Sequence, residues 1–277
     1  MTDVFRKDFL KDLYKPPYNS NGEDNGQVTI IGGSKLFHGA PILSLTTASR
    51  VVDMVFFASP EESVGRVAEG VKSRLSSFIW VPWSDAEAYI EKSDAVLIGP
   101  GFMRFNSEKD RPGGDSLDKE GEETKEITEK FLKKFLGKRW VIDAGSLQTM
   151  ETSWIPKNAI LTPNKKEFEI LFGNLTPEEA ARKFNCIIVL KGPITLVCSP
   201  EKCIEVKGGN PGLTKGGTGD VQAGLTVALL AKNDPFLAAC AASYVVKMAA
   251  DELFKKVGTF YNSDDLAKKV TEVLARG

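Results

Sequence analysis

Short, nearly continuous apolar runs alternate with helical patterns along most of the chain. The first run, residues 27–31, leads into Gly32-Gly33-Ser34 and then into a helix rich in small residues near Gly39-Ala40-Pro41. Runs of this kind are typical of strands buried on both faces of a parallel sheet. Further strands are predicted at residues 54–58, 78–81, 95–98, 140–142, 159–161 and 187–190. A doubly wound α/β fold with a mostly parallel sheet is therefore expected.

Helices are predicted between these strands and after the last of them. Apolar residues at helical spacing place them at residues 60–76, 85–91, 122–136, 217–231, 235–256 and 263–275, with shorter helices ending near 172 and beginning near 176. A hairpin is predicted over residues 194–206. The hydrophilic loop 104–121 is dense in charge, Gly and Ser, and a disordered or solvated excursion is favoured over a lid.

The chain is predicted to form one large domain behind a short N-terminal segment. Residues 1–25 are expected to hold a helix over residues 3–13 and a polar connector. Residues 26–277 show no internal repeat and no linker. With 277 residues, of which 42% are hydrophobic, the chain can bury one large core.

The charge balance argues against nucleic acid and membrane partners. The chain has 36 Lys and Arg against 37 Asp and Glu, whereas binders of nucleic acid or anionic membranes normally carry a basic excess. No apolar run reaches transmembrane length, and the charged N-terminus does not resemble a secretory signal. A soluble, cytoplasmic protein is expected.

The four cysteines and the single histidine do not form a metal-binding pattern. Cys198 and Cys203 flank a predicted turn, so they can face each other across a hairpin. Free thiols are favoured in a reducing cytosol, and a cross-strand disulfide is the alternative, more plausible in a hyperthermophile. With only His38, a His-based metal site or catalytic triad is not expected.

The stretch Lys215-Gly216-Gly217-Thr218-Gly219-Asp220 reads as a glycine-rich loop that opens a helix. Such a helix start offers free backbone N–H groups and the positive end of the helix dipole, which suits a phosphate. A carboxylate there has two interpretations. Asp220 either favours the first helical turn electrostatically or acts as a base toward a hydroxyl while the amides hold a phosphoryl group.

Polar motifs follow the predicted strands at several points. Because the carboxyl ends of parallel strands share one edge of a sheet, these motifs are expected to converge on one crevice. They are Gly33-Ser34, Gly99-Pro100-Gly101, Asp143, Asn164 with Glu167, Lys191-Gly192 and Asp220.

In order and spacing, these motifs resemble those of the ATP- or ADP-dependent NAD(P)H-hydrate dehydratases of the ribokinase-like superfamily. The resemblance runs from about residue 26 to the C-terminus. It implies a three-layer α/β/α fold and nucleotide-dependent removal of water from hydrated NADH and NADPH, through transient phosphorylation of the hydrate hydroxyl. The motifs that carry it are Gly32-Gly33-Ser34, Gly39-Ala40-Pro41, Gly99-Pro100-Gly101, Asp143-Ala144, Thr162-Pro163-Asn164 with Glu167-Phe168, Leu190-Lys191-Gly192 with Thr195, Asn210-Pro211-Gly212 and Gly216-Gly217-Thr218-Gly219-Asp220.

The resemblance also implies roles for individual residues. Asp220 would contact the substrate hydroxyl and act as base, and a Mg²⁺ ion would be ordered through water by Glu167. The phosphoryl group would be stabilised by N–H groups of Gly217, Thr218 and Gly219. ATP or ADP would be held by Lys191, Gly192, Pro193, Ile194, Thr195 and Gly219. The hydrated dinucleotide would be bound by Ala40, Gly101, Met103, Asn164 and Asp220. A homo-oligomer is what the family suggests.

Two positions depart from the family pattern. Asn164 stands where the dehydratases usually have His, and Phe102-Met103 replaces Leu-Gly, which adds bulk near the substrate. Asn164 with Glu167 also forms the Asn-x-x-Glu pattern of related kinases. A small-molecule kinase acting on a sugar or on a pyrimidine or thiazole alcohol is therefore the alternative. A catalytically silent nucleotide-binding protein is a third reading, against which the intact Asp220 argues.

Overall fold

A ten-stranded sheet lies at the centre of the computed structural model, which describes residues 3–105 and 114–277. The strand order is β1-β10-β9-β8-β7-β6-β5-β2-β3-β4. Neighbouring strands run parallel except at β8–β9 and β9–β10. The strands are β1 (Asp3–Val4), β2 (Gln27–Ile31), β3 (Met54–Ala58), β4 (Ile79–Trp80), β5 (Ala95–Ile98), β6 (Arg139–Ile142), β7 (Ile160–Leu161), β8 (Ile187–Leu190), β9 (Thr195–Cys198) and β10 (Cys203–Val206).

Helices cover both faces of this sheet. They are α1 (Gly39–Ala48), α2 (Glu62–Val71), α3 (Ala86–Lys92), α4 (Gly114–Lys134), α5 (Ala144–Thr149), α6 (Lys165–Phe172), α7 (Pro177–Phe184), α8 (Thr218–Leu230), α9 (Pro235–Val257) and α10 (Ser263–Leu274). Short 3₁₀ helices occupy Lys7–Asp12, Trp83–Asp85, Thr152–Trp154 and Pro211–Thr214.

The core is divided between the two faces because successive strand residues point in opposite directions. Ile30 and Phe57 pack on one side with α1, α2, α8, α9 and α10, while the adjacent Ile31 and Phe56 pack on the other with α3 to α7. These four side chains are at most 1% exposed. The predicted three-layer α/β/α architecture with a mostly parallel sheet is confirmed.

The predicted N-terminal helix over residues 3–13 is wrong. Residues 3–4 form strand β1, which pairs with β10, and Phe5 N donates to Glu205 O at 2.9 Å. Only a 3₁₀ helix over Lys7–Asp12 follows. Phe5, Leu10 and Leu13 are all buried in the core. Pairing at the sheet edge and burial of these apolar side chains outweigh the weak local preference for an α-helix.

The predicted loop 104–121 is also too long. Helix α4 begins at Gly114, eight residues earlier than the predicted start at 122. Residues 106–113, where the prediction of a disordered or solvated excursion falls, lie outside the described residues. The division of the chain at residue 26 stays a prediction.

The expectation of four free thiols is wrong, because Cys198 and Cys203 form a disulfide. The two residues lie directly opposite each other in the antiparallel β9–β10 pair, with Cα atoms 4.1 Å apart. Ser199 N donates to Lys202 O at 2.8 Å and closes the connecting turn. Cysteines so placed in a hairpin can bond without moving the backbone. Cys186 and Cys240 are free and buried.

Thiol titration is expected to give two groups in denaturant without reductant and four after reduction. The native protein should react slowly, because burial raises the pKa of both Cys186 and Cys240 to about 12 and so suppresses the reactive thiolate. Four reactive thiols in denaturant before reduction would contradict the disulfide. A Cys198→Ala/Cys203→Ala variant serves as the control and should give two in both conditions.

Candidate active site

A cavity of about 660 Å³ opens at the carboxyl ends of the parallel strands, between the end of β8 and the start of α8. It is bounded by the turn after β8, by the segment that follows β10, and by the first turn of α8. Seven of the residues predicted for nucleotide, phosphoryl or substrate binding line it: Asn164, Lys191, Gly192, Pro193, Thr195, Thr218 and Gly219. Ile194 projects from the same turn and is 52% exposed.

Helix α8 begins at this cavity without a side-chain cap. Its N-cap residue is Gly217, in the left-handed region at φ 90°, and contributes no capping side chain. The Thr218 hydroxyl donates backward to Leu213 O at 2.7 Å and to Lys215 O at 2.9 Å, so it shapes the loop. The backbone N–H groups of this first turn, of which Thr218 N makes a long hydrogen bond to Lys215 O at 3.4 Å, are placed together with the helix dipole to bind an anion.

Lys191 lies beside this helix start and forms a buried ion pair. Its Nζ is 2.9 Å from Oδ1 of Asp143, and a Cβ built on Gly219 would stand 3.5 Å from the same Nζ. The side chains of Lys191 and Asp143 are 20% and 3% exposed. Burial opposes the charge of Lys191, but attraction to Asp143 and Glu167 outweighs it and raises the pKa of the ammonium. Lys191 therefore stays protonated where a phosphoryl group would be held.

Asp220 is the third residue of α8 and has an altered acidity. Burial raises the pKa of its carboxyl to about 7, repulsion from Asp143 adds to the increase, and Lys191 opposes it. Ser44 in α1 donates its hydroxyl to the backbone oxygen of Asp220 at 2.9 Å, which fixes this turn against α1. A general base works best when its pKa lies near the working pH, so this carboxylate is suited to take a proton from a hydroxyl.

Asn164 and Glu167 stand at the start of α6 and are joined by a capping box. Asn164 Oδ1 accepts from Glu167 N at 3.0 Å, and Glu167 Oε2 accepts from Asn164 N at 2.8 Å. Gln148 donates to the other carboxylate oxygen at 3.2 Å. Burial raises the pKa of Glu167, Lys191 opposes this, and Asp143 adds to it. The Asn-x-x-Glu pattern, read from the sequence as kinase-like, thus has a structural explanation.

Ala40 and Gly101, two of the residues predicted to bind the dinucleotide, lie on the neighbouring part of the same sheet edge, whereas Asn164 lines the cavity. A Cβ on Gly101 would stand 2.5 Å from Phe37 O and 3.0 Å from Pro41 Cδ, so Gly101 adjoins the first turn of α1, where half-buried Ala40 lies. Helix α1 also contacts the start of α8. Leu43 of α1 places its Cδ1 in the space that a Cβ on Gly217 would need. Helix α1 therefore contacts both Gly101, predicted to bind the dinucleotide, and Gly217, predicted to stabilise the phosphoryl group.

Backbone segments meet at this edge without room for side chains. A Cβ on Gly99, whose φ is +115°, would overlap the carbonyl oxygen of Asp143. No side chain fits there. The end of β5 therefore packs directly against the backbone of Asp143, whose side chain pairs with Lys191.

A family described as NAD(P)H-hydrate dehydratase matches residues 28–272, nearly the whole chain. The chain belongs to this family.

Individual relatives agree with that assignment. A bifunctional NAD(P)H-hydrate repair enzyme of Methanocaldococcus jannaschii is 36% identical over 271 residues, covering 96% of this chain but 51% of that protein. The chain thus spans about half the length of the bifunctional repair enzymes it matches. An ADP-dependent (S)-NAD(P)H-hydrate dehydratase of Nitrosopumilus maritimus is 28% identical over 277 residues, covering 91% of this chain and 89% of that one.

The fold is shared with a solved structure. An ADP/ATP-dependent NAD(P)H-hydrate dehydratase from Bacillus subtilis, co-crystallized with ATP/Mg²⁺, superposes with a TM-score of 0.77 at 22% identity, over 99% of this chain and 98% of that one. The predicted family and the ribokinase-like fold are therefore confirmed.

The two departures from the family pattern occupy different environments. Asn164 is exposed and lines the cavity. Phe102 and Met103 are each 5% exposed, and Phe102 packs in the core, with its carbonyl oxygen 2.5 Å from where a Cβ on Gly145 would be. The side chain of Phe102 is thus buried in the core, and the expectation that Phe102-Met103 adds bulk near the substrate stays a prediction.

The sequence did not predict a role for two residues of the site, Asp143 and Lys247. Asp143 was predicted to follow a strand, but no function was predicted for it, although its carboxylate forms an ion pair with Lys191. Lys247 in α9 lines the cavity and is 4% exposed. The available signal was a single lysine inside the apolar run of residues 235–250. A charge on an otherwise apolar helix face requires a polar partner.

Proposed function

We propose that this chain dehydrates hydrated NADH and NADPH at the expense of ATP or ADP. The observation that carries the proposal is Asp220, a carboxyl with a pKa of about 7 in the first turn of a helix that carries no side-chain cap. Asp220 does not itself line the 660 Å³ cavity, but it directly follows Thr218 and Gly219, which do. Family membership and the names of its relatives support the substrate.

The chemistry requires a hydroxyl to become a leaving group. The hydroxyl oxygen of the hydrated ring attacks the terminal phosphorus of the nucleotide while Asp220 takes the hydroxyl proton. A new P–O bond forms, and the bond to the departing nucleotide breaks. The ring then expels inorganic phosphate and loses a neighbouring proton, which restores the double bond. ATP yields ADP and phosphate, and ADP yields AMP and phosphate.

The surrounding residues would bind and orient the reactants. The ammonium of Lys191 and the N–H groups of Gly217, Thr218 and Gly219 balance the charge on the transferred group, as preorganised donors do at a transition state. The turn of Gly192, Pro193, Ile194 and Thr195 holds the nucleotide. The hydrated dinucleotide lies along Ala40, Gly101, Met103 and Asn164, with its hydroxyl directed toward Asp220.

Mg²⁺ fits this arrangement when nucleotide phosphates and water supply most of its ligands. Among residues 3–105 and 114–277, no three His, Cys, Asp or Glu side chains are grouped to hold a metal ion directly. Mg²⁺ usually keeps several waters beside one or two carboxylates. Glu167, buried beside the cavity, would order one such water. Bound there, Mg²⁺ would neutralise phosphate charge.

The decisive experiment follows the near-ultraviolet absorbance of the dihydronicotinamide ring. Protein, Mg²⁺ and ADP or ATP are incubated with the purified (S)- or (R)-hydrate of NADH. Absorbance is expected to return with the (S)-hydrate only, with one phosphate released for each ring restored. No recovery with either hydrate, combined with phosphorylation of a simple alcohol, would replace the proposal with a kinase. A homo-oligomeric state is part of the same proposal, and sedimentation tests it separately.

The activity is expected to depend on pH through Asp220. Because the carboxyl must be ionised to accept a proton and has a pKa of about 7, kcat/KM should rise across about pH 6 to 8. The profile is measured with nucleotide affinity determined at each pH, which separates titration of the nucleotide phosphates. A kcat/KM that stays constant through neutrality would argue against Asp220 as the base.

None of the helices in the described part of the chain has the length and apolar character needed to cross a membrane.

A further inference from the structure

Lys247 makes three hydrogen bonds that tie together two segments of the cavity wall. Its Nζ donates to Gly192 O at 3.1 Å and Pro193 O at 2.8 Å in the turn after β8, and to Gly208 O at 3.0 Å in the segment after β10. An ammonium has three N–H donors, so all of them are used. The side chain projects from α9, which belongs to neither segment.

Asp251 lies one helical turn further along α9 and also forms hydrogen bonds with the segment after β10. Its Oδ2 accepts from Gly209 N at 3.0 Å, and its Oδ1 accepts from Asn210 Nδ2 at 3.2 Å. Asn210 in turn accepts from Tyr261 OH at 2.9 Å through Oδ1. Lys247 and Asp251 are spaced i, i+4 and therefore face the same side of the helix.

The chemistry of Lys247 is unusual for a purely structural lysine. Among the described residues no carboxylate lies within ion-pair distance of its Nζ, and three backbone carbonyls surround the charge instead. Burial lowers the pKa of the ammonium, and Asp251 opposes the decrease. Burying a charged lysine is unfavourable unless its N–H groups are hydrogen-bonded. The buried charge of Lys247 is therefore stable only while the carbonyls of both segments stay close to α9.

We propose that Lys247 and Asp251 form a clamp that fixes the two walls of the nucleotide cavity before the nucleotide arrives. Gly192 and Pro193 belong to one wall, Gly208 and Gly209 to the other, and Lys247 itself lies between them in the lining. Preorganised walls bind more tightly because less conformational entropy is lost on binding. Lys247 is thus a positioning residue for the nucleotide, an assignment that rests on the proposed function.

The test is the Lys247→Met variant, which keeps the length of the side chain and removes its three donors. The Kd for ADP, measured by equilibrium dialysis without any hydrate, is expected to rise about tenfold, equivalent to about 1.4 kcal/mol. At saturating nucleotide, kcat should fall less than about threefold, because the reacting groups near Asp220 are untouched. Lys247→Arg retains donors and should recover part of the affinity.

Lys256→Met is the matched control, since Lys256 is an exposed lysine on the same helix, and its ADP affinity should equal that of the original protein. An unchanged Kd in Lys247→Met, or a loss of kcat with unchanged Kd, would overturn the clamp. If Lys247→Met does not fold, Asp251→Asn, which loses the charge but keeps one acceptor, must weaken ADP binding for the clamp to stand. A chain that binds ADP without dehydrating the hydrate refutes the proposed function and leaves this test intact.

Discussion

Replacing Asp220 by Asn is expected to lower kcat by about 10²- to 10⁴-fold, the usual range for the loss of a general base. Asn has nearly the same shape and keeps the first turn of α8, but it cannot accept the hydroxyl proton. The Kd for ADP should change little, because the nucleotide turn and Lys191 are unaltered. Steady-state kinetics and equilibrium dialysis measure the two quantities.

A matched control separates catalysis from a simple helix-dipole effect. Asp264 stands in the first turn of α10, one position nearer the helix start than Asp220 is in α8, and it is exposed. Asp264→Asn should leave kcat unchanged. If Asp220→Asn retains turnover but loses nucleotide affinity, Asp220 has a binding or metal-ordering role and the proposed mechanism is wrong.

Replacing Lys191 by Met is expected to damage both stability and turnover. The substitution leaves the 3% exposed carboxylate of Asp143 without its partner, and breaking a buried ion pair in this way costs about 3–5 kcal/mol. The melting temperature should fall by about 10 °C. Turnover should fall as well, because an ammonium beside Gly219 is removed from the place where phosphoryl charge develops.

The double variant Asp143→Asn/Lys191→Met separates these two effects. The amide that replaces the Asp143 carboxylate would have no charge to bury. Its oxygen would still accept the Thr162 hydroxyl, which now donates to Asp143 at 2.8 Å. Stability in urea unfolding should recover, whereas kcat should stay low. Recovery of kcat in the double variant would show that Lys191 serves only to neutralise Asp143.

The sheet and most helices could be predicted from sequence because their signals are local. Residues 27–31, 54–58, 95–98 and 187–190 are strands with the predicted bounds, since β-rich apolar runs bounded by turn residues leave few alternatives. Helix α9 was predicted to end at residue 256 and ends at Val257. The convergence of the motifs on one sheet edge followed from the direction of parallel strands.

The missed features depend on contacts between residues that are distant in sequence. Strand β1 exists because β10, about 200 residues later, offers a free edge. Lys247 acquires its role from carbonyls 39 to 55 residues away along the chain. The disulfide could not be decided from sequence because the register of the hairpin determines whether Cys198 and Cys203 meet, and a pattern of residue types leaves register undetermined.

The packed backbone at Gly99 and Gly101 divides the sheet edge into positions that can vary and positions that cannot. Any side chain at Gly99 would have to displace the carbonyl of Asp143, and one at Gly101 the carbonyl of Phe37. A library designed to accept a new alcohol in the proposed site should therefore hold these two glycines constant. At position 164 it should sample only residues that can cap α6, because Asn164 Oδ1 accepts from Glu167 N. In the proposed site, substrate range would then depend on the side chains that a constant backbone carries at this edge.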